Sequence, residues 1–159
     1  MKRLSIISLL LWIGMVAFAT GKSKVMWLDC SANFQRFSYP DSIRYYVDKC
    51  HEAGITHLVL DIKDNTGEVL YPSKYAAQKK NWKNFDRPDF DFINTFIKAA
   101  HAHGMVIFAG MNIFADGQNI VKRGAVFDKH KKWQAINYVP RKGLLPVTEI
   151  EGKPTMFLN

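Results

Sequence analysis

The stretch from Gly54 to Ser73, GITHLVLDIKDNTGEVLYPS, constrains the fold more than any other part of the chain. It opens on a helix-ending glycine and runs through an apolar strand, Leu58 to Ile62. The strand delivers Asp61, Lys63, Asp64 and Asn65 at its far end, and Gly67 and Tyr71 follow. An apolar strand that turns charged at its carboxyl end and passes into a polar loop is how an α/β protein builds a ligand site. The strand supplies rigidity and the loop supplies chemistry.

The flanking chain repeats the pattern. Val25 to Cys30 (VMWLDC) reads as a buried strand. Pro40 and Asp41 open a helix, in which Ile43, Tyr46, Val47, Cys50 and Ala53 recur at helical spacing and Gly54 closes the last turn. A second helix is expected from about Phe90 to His103, stopped by Gly104, and a third strand from Met105 to Phe114. His51-Glu52-Ala53-Gly54 and His101-Ala102-His103-Gly104 echo one another, each leading straight into an apolar run. Strands alternating with helices across such tight turns argue for a parallel sheet. After Ala115 the pattern loosens, with Gly117, Gly124, Pro140, Gly143, Pro146 and Pro154 among short apolar pieces.

The first residues carry a different signal. Lys2 and Arg3, an apolar run from Leu4 to Val16 and Ala17-Phe18-Ala19 have the form of a secretory signal peptide over residues 1–19. The apolar run falls short of the about 20 residues of a membrane span. The expected product is exported, with residues 20–159 as its folded part and no stable membrane insertion after cleavage. Losing Lys2 and Arg3 takes the formal charge from +8 to +6, and the remaining basic residues are scattered apart from Lys79-Lys80 and Lys129 to Lys132. No arginine-rich run interleaved with aromatics marks a nucleic-acid groove, so nucleic acid is not an expected partner. Cys30 and Cys50 match no zinc spacing; they read either as a bridge that export permits or as free core thiols. No metal or cofactor is expected.

Strand alternation places Trp27, Asp29 and Ser31 on one face, then Val59, Asp61 and Lys63, then Phe108, Gly110 and Asn112. Each set turns polar only at its carboxyl end. The candidate substrate-binding residues are therefore Asp29, Asp61, Lys63, Asp64, Tyr71 and Asn112, with the loop aromatics Trp82 and Trp133 as stacking platforms. Structural alternatives stand beside these. Asp61 and Lys63 could be a buried ion pair, Asp29 could accept from loop amides, and His51 and His101 suit the negative ends of helix dipoles.

The segments LVLDIKDNTGEVLYPS, FINTFIKAAHAHGMVIFAGMNIF, KHKKWQA and MFLN, in that order, resemble the opening half of secreted bacterial family 10-like glycosyl hydrolases and of relatives distantly akin to the α-amylases. Tyr71, Ser73, His101, Gly104, Asn112, Trp133, Leu158 and Asn159 carry the resemblance. It implies a partial (β/α)8 TIM barrel, an α/β fold of about the first three to four βα units with parallel strands, and an oligo- or polysaccharide substrate. The signal peptide, in turn, implies a secreted, periplasmic or cell-surface location. The family's catalytic aspartate lies on a fourth strand, in an Asp-Gly segment without a counterpart here, so the catalytic residues are unknown and the chain reads as an amino-terminal portion. The alternative function is a non-catalytic secreted glycan-binding module; a purely structural secreted domain is a third.

Overall fold

A computed structural model describes residues 22–118 and 120–150; the expected signal peptide, residues 1–19, and the Leu158-Asn159 end lie outside the described residues. Three strands, β1 (Val25–Leu28), β2 (His57–Lys63) and, later in the chain, the strand Val106–Met111, form one parallel sheet with β2 in the middle. Between them run helix α1 (Pro40–Glu52) and helix α2 (Phe92–Ala102). Two short antiparallel pairs complete the architecture. The first is β3 (Asn81–Trp82) with β4 (Phe85–Asp86). Val106–Met111 is then β5, and the second pair is β6 (Ile136–Val139) with β7 (Gly143–Pro146).

Local chemistry explains the helices. Pro40 stands at the start of α1, where its fixed φ suits a helix and its missing N–H costs nothing. Asp91 caps α2, its carboxylate accepting from the Asn94 amide at 3.0 Å. Both helices end on a glycine in the left-handed region, Gly54 at φ 76° and Gly104 at φ 64°.

The two helices pack on each other and on one face of the sheet. Leu58, Leu60 and Ile62 point into that layer against Ile43 and Val47 of α1 and Phe92, Phe96 and Ala100 of α2. Phe37 meets Phe96 edge to face at 5.3 Å. Each fully buried large side chain here contributes about 1.5–3 kcal/mol, so this layer holds the fold together. Cys30 and Cys50 belong to it as free thiols, not as a bridge. Burial pushes the Cys30 thiol well above its ordinary value, with the charges of Asp61 and Asp29 adding to the effect.

The opposite face of the sheet is open. Trp27, Val59 and Phe108 are partners across it, and Trp27 and Phe108 are 61% and 52% exposed.

The partial (β/α)8 barrel is corrected by this topology. Among the described residues there are only two helices longer than four residues, one three-stranded parallel sheet and two antiparallel pairs. After β5 the chain makes a four-residue helix, α3 (Ala125–Asp128), and then the β6–β7 hairpin rather than a further βα unit. The hairpin turn, residues 140–142, carries Arg141 at a positive φ of 67° and leads into Gly143, the first residue of β7, at φ 83°, and such a turn joins antiparallel neighbours only. No helix among the described residues is long and apolar enough to cross a membrane.

Candidate functional site

The carboxyl end of the sheet is where the polar residues meet. A register shift between Asp61 and Lys63 takes them off a shared face. Asp61 stays on the open face opposite Gly110, while Lys63 turns inward and is 7% exposed. Its ammonium donates to the carbonyls of Asn112 at 3.0 Å and Ile113 at 2.8 Å, and pairs with Asp116 at 2.7 Å. Those three acceptors match its three N–H groups. Lys63 thus fastens the segment after β5 to the end of β2, and Asp61 is not its ion partner.

Asp64 is also used internally. It accepts from the Thr66 amide at 2.9 Å and hydroxyl at 2.5 Å, and it forms a buried ion pair with Lys79. The Lys79 ammonium lies 4.1 Å from the centre of the Trp82 ring and 5.6 Å from that of Phe34. Trp82 is consequently half-buried against the core rather than displayed on a loop. Tyr71 likewise packs on the core. Asn112 is exposed, and its backbone carbonyl is what Lys63 holds.

Asp29 and Asp61 remain together at the polar end of the open face. Asp29 accepts from the amides of Ser31 at 3.0 Å and Ala32 at 2.8 Å, which shapes the loop after β1. Burial raises the Asp61 carboxyl from 3.8 to about 6, and the charges of Asp29 and Asp64 push the same way. The Trp27 ring crosses beside them, 3.1 Å from where a side chain on Gly110 would begin.

The raised Asp61 predicts a pH-dependent stability. Unfolding releases its proton between its ordinary value and about 6, so stability falls as pH rises through that window. Asp61→Asn should therefore stabilise the chain at neutral pH by about 1 kcal/mol, after allowance for solvent screening of a half-exposed group. Below pH about 4 it should change nothing. Melting temperatures at the two pH values check this, and an equal gain at both would contradict it.

A second concavity lies beside the Asp64–Glu68 loop. It is a cleft of about 490 Å³ between that loop, Tyr75 to Ala77, Asp116 and the segment from Lys122 to Trp133. Two glycines let its walls approach. A Cβ on Gly67 would come 2.8 Å from the Asp116 Cα, and one on Gly124 would come 2.4 Å from three backbone atoms. Arg123 bridges the walls, donating to Glu68 at 3.2 Å and to the Asn81 carbonyl at 3.1 Å. At the rim stand Tyr75, 99% exposed, and Trp133, 63% exposed and stacked on His130 at 4.2 Å. Ser73 steadies the Tyr75 turn, its hydroxyl accepting from the amides of Tyr75 at 3.1 Å and Ala76 at 3.3 Å.

Of the eight candidates from sequence, the structure brings Asp29 and Asp61 together, turns Lys63, Asp64 and Trp82 inward, and sets Trp133 on the separate cleft. Tyr75, Lys122, Lys129 and His130 were not singled out. The basic run Lys129 to Lys132 was the visible signal for Lys129 and His130, but nothing local showed that it folds back toward Gly67.

Against known proteins, no family model and no solved structure matches the chain. It is similar to an S-layer-related protein of Niallia circulans, 31% identical over 124 residues. The match covers 74% of this chain and about 8% of the relative's length. Membership of the family 10-like glycosyl hydrolases is corrected by these findings: the similarity leads to an S-layer-related protein, and the topology lacks the barrel that the resemblance implied.

Proposed function

We propose that the chain is a non-catalytic carbohydrate-binding part of a secreted or cell-surface protein, with the sugar seated in the cleft between Tyr75 and Trp133. The observation that carries this reading is the pair of exposed aromatic rings flanking a cleft of about 490 Å³, within the range of small-ligand sites. An aromatic ring offers the C–H face of a sugar a flat apolar platform, and the polar walls offer its hydroxyls partners. A surface location agrees with the similarity to an S-layer-related protein.

Binding is favoured over hydrolysis of glycosidic bonds. Hydrolysis needs two carboxyl groups flanking the scissile bond. In the cleft, Glu68 and Asp116 are paired with Arg123 and Lys63; on the open face, Asp29 is shaping its loop.

A glycan array followed by calorimetry tests the reading. Micromolar to millimolar binding without turnover is expected, weakened about tenfold by Trp133→Ala and by Tyr75→Ala, or about 1.4 kcal/mol each. Trp27→Ala, on the open face, should leave affinity unchanged. Full affinity in the Tyr75→Ala/Trp133→Ala double variant would refute the assignment.

A further inference from the structure

The charges around the cleft select among sugars, and this inference rests on the carbohydrate reading above. Both acidic groups lining it are neutralised within the protein. Asp116 is paired with Lys63 at 2.7 Å, and Glu68 with Arg123 at 3.2 Å. Lys122 and Lys129 also line the cleft, are exposed, and make no ion pair among the described residues. His130 lies flat against Trp133, with rings 11° apart.

The placement of Lys122 is enforced. Its φ of 51° is left-handed, where a lysine sits only when the chain around it demands it. The demand comes from the turn closed by Gln118 and Arg123, whose amides donate to each other's carbonyls at 2.8 and 3.2 Å. Lys129 follows α3, its amide bonded to the Ala125 carbonyl at 2.9 Å. Both ammonium groups are thus carried by fixed backbone beside the same cavity as the aromatic rim. A concavity with low-dielectric walls concentrates such a field more than a flat lysine-bearing surface does.

We infer that the cleft takes an anionic saccharide, one whose ring stacks on the rim aromatics and whose carboxylate or phosphate pairs with Lys122 and Lys129. A nucleic-acid helix also offers phosphate, but a cleft of about 490 Å³ fits a few sugar rings and not a duplex.

The test titrates the 159-residue chain with a neutral oligosaccharide, its uronate form, its phosphate-substituted form and a single-stranded oligonucleotide, at about 20 and about 300 mM salt. At least one acidic sugar should bind about tenfold more tightly than the neutral one at low salt, and the advantage should shrink at high salt. Whether the uronate or the phosphate form wins identifies the anionic group. Lys122→Gln/Lys129→Gln should abolish the advantage while leaving the melting temperature unchanged. Equal affinity for neutral and acidic sugars, or an advantage that survives the double variant, overturns the inference and spares carbohydrate binding. Failure of every sugar removes both readings. An oligonucleotide binding as well as the acidic sugars would make this a general phosphate site and overturn the assignment to sugar.

Discussion

Lys79→Met is expected to cost about 3–5 kcal/mol of folding stability, the range for breaking a buried ion pair from one side. The side chains of Lys79 and Asp64 are 1% and 3% exposed, so water cannot replace the lost ammonium. The cost comes less from losing attraction than from leaving the Asp64 carboxylate buried without its counter-charge. The Trp82 and Phe34 rings lose their cation as well. A domain of this size has about 5–15 kcal/mol to lose, which brings the variant close to unfolding. Urea denaturation followed by tryptophan emission measures the loss. Lys79→Met/Asp64→Asn should recover at least half of it, because asparagine keeps an oxygen for Thr66 without the charge. A double variant no better than the single one would mean that lost packing, not the stranded charge, sets the cost.

Gly124→Ala is the second large effect, at about 3 kcal/mol. The residue sits at φ 110°, and a Cβ would meet the Asp116 carbonyl oxygen, the Gly117 Cα and the Thr66 carbonyl oxygen, each at 2.4 Å. All three belong to the backbone, so no side chain can swing aside. The cleft wall must move instead, and sugar binding should be lost along with stability. Gly104→Ala is the matched control. Its φ of 64° also favours glycine, but nothing lies within 4 Å of a Cβ there. It should cost about 1 kcal/mol and spare binding. Equal losses in the two variants would show that the close approach at Gly124 is not what shapes the cleft.

These effects separate what was legible in the sequence from what was not. The helices appear within a residue or two of where Pro40, Gly54 and Gly104 place them, because caps and helical spacing are local signals. The parallel order of β1, β2 and β5 follows from the tight turns after each helix. The barrel does not follow, since closure depends on what the chain does beyond Met111. Gly143 and Pro146, read as punctuation in a loosened stretch, bound a strand that pairs with Ile136 to Val139; a proline is admissible at such an edge.

The site was less legible for a related reason. Lys63 and Asp64 stand side by side on a polar loop and look like ligand contacts. Their partners, Asp116 and Lys79, are distant in sequence, and local spacing cannot announce them. The irregularity at Asp61 and Lys63 then sends neighbouring charges to different sides of the sheet. The Trp82 ring lies against the buried Lys79 ammonium, whereas Trp133 stays exposed, with His130 as its stacking partner among the described residues.

The indole N–H resonances of Trp27, Trp82 and Trp133 give the most direct test of where a sugar sits, since each reports a different place: open face, core and cleft. On titration with a glycan selected from the array, the Trp133 signal should shift saturably while those of Trp27 and Trp82 stay fixed. A shift at Trp27 with Trp133 unmoved would place the sugar on the open sheet face and contradict the account.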